Sequence, residues 1–151
     1  MANKAYSGRY SVKNPSKYNG DPSNVIFRSL WERSLMKFLD DCPDVVKWMS
    51  EGTVIGYVCG TDRKPHRYFV DFTITFKNGE THLVEVKPEK ETIAPKQPKK
   101  KTQRYILEVV TYIKNQSKWT AAKKYAEDHG MIFSVWTEKT LSKLGIRLLL
   151  S

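Results

Sequence analysis

The stretch from Tyr68 to Pro88 constrains this chain more than any other, because apolar and polar residues alternate on both sides of one tight turn. Tyr68–Phe76 and Glu80–Lys87 have the period of two expected of half-buried β-strands, and Asn78-Gly79 between them is a hairpin signal. On the first strand Val70, Phe72, Ile74 and Phe76 share one face, with Asp71, Thr73 and Thr75 opposite. On the second, Val84 and Val86 lie on one face and Leu83, Glu85 and Lys87 on the other.

The length of the turn decides which side chains meet. A two-residue loop pairs Lys77 with Glu80 and sets Phe72 beside Glu85, which mixes charge into the apolar layer. A three-residue loop, Lys77-Asn78-Gly79, pairs Phe76 with Glu80 and sets Asp71 directly across from Glu85. It also sets Val70, Phe72 and Ile74 against Val86, Val84 and His82. A one-residue slip inverts a whole strand, so the apolar pattern selects the three-residue loop, with Gly79 left-handed.

That register brings two carboxylates within a strand spacing, with the Lys87 ammonium two residues along on the same face. Adjacent carboxylates repel unless something cationic sits between them. Mg²⁺ takes one or two carboxylates and keeps several waters, a habit that suits such a pair. A half-exposed Asp/Glu/Lys ladder would show the same spacing, so spacing alone leaves both readings open.

The flanking residues add to this. Arg28-Ser29-Leu30-Trp31-Glu32, His66-Arg67-Tyr68-Phe69-Val70-Asp71, Glu85-Val86-Lys87, Lys118-Trp119 with Ala121-Ala122, Phe133 and Thr137-Glu138 follow in order. Asp71 with Glu85-Val86-Lys87 resembles the signature of the PD-(D/E)XK nuclease superfamily. From about residue 5 to residue 141 the chain is similar to the head-completion nuclease family of contractile-tailed phages, relatives of the TnsA-type transposon endonucleases. Where the superfamily often has Pro before the first acid, this chain has Val70.

The resemblance implies an α/β, restriction-endonuclease-like core: a mixed central sheet of about four strands flanked by helices. It implies Glu32, Asp71 and Glu85 as catalytic acids that hold Mg²⁺, with Mn²⁺ able to substitute. The Val86 carbonyl is implied as a further ligand, and Lys87 as the catalytic lysine. Spacing alone would make Glu32 no more than an i,i+4 partner of Arg28. Hydrolysis of DNA phosphodiesters, endo- or exonucleolytic, at the end of the packaged genome follows from the same resemblance. So do head or portal partners and a place in the host cytoplasm or on the virion head.

At 151 residues and 40% hydrophobic, the chain is sized for one domain with one core. A net charge of +10 points to a polyanionic partner without separating a nuclease from a passive DNA-binding or capsid-plug protein. A junction-resolving or transposon-end nuclease of the same superfamily is also open. Residues 1–22 read as a basic arm in which Lys4, Arg9, Lys13 and Lys17 interleave with Tyr6, Tyr10 and Tyr18. Residues 23–151 read as the nuclease domain, with a mobile Pro/Lys-rich loop at 88–104 beside the site. Arg9, Lys13, Lys17, Arg67, Lys96, Lys99, Lys100, Lys101 and Arg104 are the expected backbone-phosphate contacts, with no base-specific readout.

The rest of the chain reads as helices and short strands. A helix from Ser23 or Asn24 to about Asp40 carries Phe27, Leu30, Trp31, Leu35, Phe38 and Leu39 as its stripe. Asp44–Ser50 reads as a linker with Val45, Val46 and Trp48 in the core, and Thr53–Val58 as the first strand. Glu51, just before that strand, reads as a solvent-facing turn residue in preference to an acid that supports the site from behind. A helix capped by Thr102 is expected to break at Asn115-Gln116-Ser117, with a further helix running to about His129. A strand at Met131–Trp136 and a short helix capped by Thr137 complete the order. His66, His82 and His129 share no ligand spacing, and Cys42 and Cys59 read as free cytosolic thiols. No apolar run is long enough to span a membrane, no export signal is visible, and no Gly-rich loop signals a nucleotide cofactor.

Overall fold

The computed structural model describes residues 7–148. A short strand pair, β1 (Gly8–Arg9) and β2 (Ile26–Phe27), encloses a 3-10 turn at Pro15–Lys17. Then come α1 (Leu30–Asp41), β3 (Val45–Ser50), β4 (Val54–Val58), β5 (Pro65–Phe69), β6 (Phe72–Phe76) and β7 (Thr81–Val86). A 3-10 turn at Glu89–Thr92 leads through a loop to α2 (Gln103–Asp128), β8 (Ile132–Trp136) and α3 (Glu138–Lys143).

The central sheet has four strands in the order β3-β6-β7-β8, antiparallel until the last pair, which is parallel. This is the mixed α/β sheet expected. The β6–β7 hairpin has the three-residue turn: Phe72 faces Val84, Ile74 faces His82, and the Phe76 N–H donates to the Glu80 carbonyl at 2.9 Å. Gly79 closes the turn at φ +92°, a conformation that costs glycine little.

The expected strand Tyr68–Phe76 is two strands in two sheets. The chain breaks at Val70-Asp71, and Tyr68 belongs to a separate two-stranded ribbon, β4–β5. Val70 does not pair with Val86; its N–H donates to the Thr53 carbonyl at 3.0 Å. The apolar alternation runs straight through this corner, so periodicity alone does not reveal it.

Three other boundaries differ from expectation. Asp44–Ser50 contains an edge strand rather than a linker, and a register shift between Val45 and Lys47 buries Val45 and Trp48 while turning Val46 outward. Helix α1 starts at Leu30 and is capped by Ser29, not by Ser23 or Asn24, so Phe27 lies in β2. Helix α2 passes unbroken through Asn115-Gln116-Ser117. There the Ser117 hydroxyl donates to the Ile113 carbonyl and accepts from the Gly60 N–H, joining the helix to the ribbon's turn.

Two apolar layers cover the central sheet. Leu35, Met36 and Leu39 of α1 and Leu141 of α3 pack with Trp48, Phe72, Ile74 and Val84. Trp119, Ala122 and Ala126 of α2 pack with Leu83, Val70 and the ribbon's Ile55, Tyr57 and Tyr68. A large apolar side chain fully buried in either layer contributes about 1.5–3 kcal/mol. Among the described residues no helix is long and apolar enough to cross a membrane.

From residue 7 onward the basic leader is part of this packing, while Lys4 and Tyr6 lie outside the described residues. Tyr10 and Tyr18 set their rings edge-on against Trp48, with centroids 6.2 and 4.8 Å away. Asp40, 1% exposed, accepts from the Tyr10 hydroxyl at 2.8 Å and from the Lys13 and Asn14 N–H groups. Lys17, expected on phosphate, instead donates to the carbonyls of Asp40 and Cys42 at the end of α1. Its charge complements that helix terminus.

Candidate active site

The hairpin register determines the site. Asp71 stands one residue before Phe72, and Glu85 one residue after Val84, so the Phe72–Val84 pairing sets the two carboxylates side by side. The Val86 N–H donates to Asp71 Oδ2 at 2.8 Å and ties the acid to the neighbouring strand. Asp71 Oδ1 receives no hydrogen bond from any described residue. Glu85 is buried, accepts from the Tyr68 hydroxyl through Oε1 at 2.6 Å, and has Lys87 Nζ 3.7 Å from Oε2.

Burial first, and then the Glu85 charge, push the Asp71 carboxyl well above the ordinary aspartate range. The Val86 N–H and Lys87 offset only part of this, and Glu32 adds to it. Burial likewise raises Glu32, helped by Glu51 and Glu85 and opposed by the Arg28 N–H. Burial raises the Tyr68 phenol, and Glu85 holds it further in its neutral, proton-donating form. Fully ionised, these carboxyls would carry more negative charge than their neighbours neutralise.

Glu32 reaches this cluster from the first turn of α1. Its backbone N–H donates to the Ser29 hydroxyl at 3.2 Å, and its Oε1 accepts from the Arg28 N–H at 3.0 Å. With Trp31, Val86, Lys87, Pro88 and Glu138 it lines a cleft of about 560 Å³. Of two larger clefts, one lies at the leader and one adjoins this cleft, sharing Lys90 and Glu91 with it.

Besides Tyr68, three residues outside the expected set belong to the site. Arg28 does not pair side chain to side chain with Glu32; its guanidinium grips Glu51 through Nε at 2.7 Å and a terminal nitrogen at 3.2 Å. Glu51 is left-handed at φ +54°, unusual for a residue with a side chain, and its N–H donates to the Asp71 carbonyl at 3.1 Å. Arg28 and Glu51 thus brace Glu32 against Asp71 across a gap of 23 residues in sequence. Strained backbone of this kind clusters at functional sites. The third is Lys118 of α2, whose Nζ lies 5.5 Å from the centre of the Tyr68 ring. Burial lowers its pKa, and the Glu85 charge works against that shift. The Arg28-to-Glu32 and Lys118-Trp119 strings hinted at these roles; Glu51, expected as a solvent-facing turn residue, instead takes the supporting place that is its second reading.

The basic residues divide. Lys87 and Lys90 line the cleft, and the segment beyond Glu91 leads from it into the neighbouring cleft. The turn before that segment is tethered: the Glu89 N–H donates to Glu138 Oε1, and Lys139 pairs with Glu89 at 2.8 Å. Lys96, Lys99, Lys100, Lys101 and Arg104 are exposed beyond the tether. Arg67 lies on the outer face of the ribbon, 5.5 Å from the Phe69 ring centre, and Arg9 and Lys13 lie on the leader.

The donor set suits a hard divalent ion. Among the described residues no three His, Cys, Asp or Glu side chains converge as a ready ligand shell. One carboxylate pair is nevertheless what Mg²⁺ requires when waters complete its octahedron. Asp71 Oδ1 is free of protein donors, and the repulsion within the pair is what such a cation would relieve.

Residues 42–138 match the model of the family described as TnsA-like endonuclease N terminal. That span includes Asp71, Glu85 and Lys87 and leaves Glu32 and the leader outside. A longer likeness covers those too: the head completion nuclease of Enterobacteria phage T4 is 40% identical over 147 residues, 95% of this chain and 98% of that protein. With its mixed four-stranded sheet, its side-by-side acids and these two matches, the chain belongs to the TnsA-like endonuclease family, alongside the phage head completion nuclease.

Proposed function

We propose that the protein is a Mg²⁺-dependent deoxyribonuclease that hydrolyses phosphodiester bonds, acting on the end of a packaged phage genome during head completion. The observation that carries this reading is the Asp71–Glu85 pair, a half-buried acid beside a buried one with too little positive charge to balance them. A purely structural pair of this kind would be expected to find more donors or a closer cation. Family membership supports the nuclease reading, and the name of the phage T4 relative supports the role in head completion.

Asp71 and Glu85 would hold the ion directly, with the Val86 carbonyl as a backbone ligand, and Glu32 would complete the site through a coordinated water. The bound ion would lower the pKa of a coordinated water and offset charge on the phosphate oxygens. Lys87, in the cleft and 3.7 Å from Glu85, presents its ammonium to the attacking water or the scissile phosphate. Tyr68 holds Glu85 in place through its hydroxyl, and Arg28 with Glu51 sets Glu32 against Asp71. The exposed lysines of the 96–101 segment supply phosphate affinity without base readout. Head or portal proteins would be its partners, in the host cytoplasm or on the virion head.

The test is cleavage of linear, branched and single-stranded DNA by the purified protein with Mg²⁺, beside Asp71→Ala. Mg²⁺-dependent cutting of linear duplex that Asp71→Ala loses is the expected result. Strong preference for branched DNA would point to a junction-resolving enzyme. Cleavage and phage assembly that both survive Asp71→Ala would make the protein a DNA-binding plug.

A further inference from the structure

A cleft of about 890 Å³ lies on the side of α1 away from Glu32. Arg33, Ser34, Lys37, Phe38 and Asp41 form one stripe of that helix, and at about 100° per residue Glu32 falls opposite. Three separate parts of the chain build the cleft: Arg9 and Tyr10 from the leader, Arg33 and Lys37 from α1, and Arg147 after α3. Among the described residues none of these four cations has an acidic partner within ion-pair distance. The one acid in the lining, Asp41, is paired with Lys13 at 3.5 Å.

The cations are held from behind. Arg9 pairs with Ile26 in the β1–β2 ladder, and the Tyr10 N–H donates to the Val25 carbonyl at 2.8 Å. Arg33 lies 5.9 Å from the centre of the Phe27 ring. Ile146, buried beside Arg147 in sequence, donates its N–H to the Leu141 carbonyl at 3.0 Å. Gathering four like charges in one concavity raises the energy of the free protein, and a polyanion relieves it.

We propose that this cleft is a second binding site for the phosphate backbone of DNA, separated from the acid cluster by the width of α1. The proposal rests on the reading of DNA as substrate, and it adds Arg33, Lys37 and Arg147 to the contact surface. Helix α1 packs its Leu35, Met36 and Leu39 side on the sheet, so the cleft lies on its outward side, open to a duplex that also passes the acid cleft at the helix's first turn.

The experiment measures the affinity of a short fluorescein-labelled duplex against salt concentration in EDTA, where cutting plays no part. The cleft triple Arg33→Gln/Lys37→Gln/Arg147→Gln is compared with Lys64→Gln/Lys77→Gln/Lys123→Gln, which removes the same charge elsewhere. The cleft triple is expected to reduce the salt slope by about two to three and the affinity at physiological salt by about tenfold or more. The control triple should change the slope by less than about one. The charge-preserving Arg33→Lys/Lys37→Arg protein should bind as the parent does. An unchanged slope in the cleft triple, equal losses in both triples, or the same loss in the charge-preserving protein would each overturn the proposal. Duplex binding that depends on the cleft, with no Mg²⁺-dependent cleavage, would sink the nuclease reading while leaving the cleft in place.

Discussion

Asp40 is buried and Asp71 half-buried, and their surroundings are opposite. Burial alone would raise the Asp40 carboxyl, but donation from the Lys13 N–H, the Tyr10 hydroxyl and the Asn14 N–H more than offsets it and leaves its pKa depressed. Asp71 receives one N–H, faces Glu85 with Glu32 nearby, and is pushed the other way. Asp40 is a fastener that secures the leader to α1. Asp71 is a carboxyl whose negative charge its surroundings oppose. The same side chain serves structure or chemistry according to how many donors its neighbours supply.

The sharpest way to break this comparison is to remove each charge in turn. Asp71→Asn should lower Mg²⁺-dependent cleavage by about 10³-fold or more while raising the metal-free melting temperature at pH 7. A variant that melts lower would show that Asp71 stabilises the fold after all. Lys87→Gln should cost about 10²-fold in kcat and spare Mn²⁺ affinity in a calorimetric titration. Weakened Mn²⁺ binding would recast Lys87 as a residue that organises the acids. Asp40→Asn should destabilise by about 2–3 kcal/mol in urea unfolding and leave kcat intact below the transition. A lost activity in folded protein would tie the leader directly to catalysis.

The smallest effect is in pH dependence, where the two aspartates work in opposite senses. Asp71 has a raised folded pKa, so its contribution to metal-free stability is full below the ordinary aspartate range and is lost as pH rises through that raised value. Asp40 has a depressed folded pKa, so its contribution is present above the ordinary range and is lost as pH falls through the depressed value. Melting curves of the metal-free protein from mildly acidic to neutral pH should flatten in Asp71→Asn and not in Asp40→Asn. The reverse pattern would exchange the two roles.

The sequence made the hairpin legible because alternation and turn chemistry agree there, and with the hairpin came the Asp71–Glu85 contact. Asp44–Ser50 was harder, since Val45-Val46 followed by Lys47-Trp48 alternates only once the shift after Val45 is known. The strand break at Val70-Asp71 was hidden because Val70 is as apolar inside a corner as inside a strand. Asn115-Gln116-Ser117 has the composition of a helix stop, but Ser117 spends its hydroxyl on the ribbon and the helix carries on. Within the site, acids on adjacent strands could be read from spacing. The Arg28–Glu51 brace and Lys118 could not, because only the folded chain brings α1, the end of β3 and the middle of α2 to one place.

The corner at Val70-Asp71 also makes the β4–β5 ribbon a lever anchored one residue from the acid. Its tip, Gly60–Lys64, stands about five strand residues, or roughly 17 Å, beyond Phe69. Loads applied at that tip, by a docked protein or an attached probe, are shared between α2, through the Gly60–Ser117 hydrogen bond, and the first carboxylate, through Val70. A fluorophore there would be a strain gauge for the floor of the acid cleft.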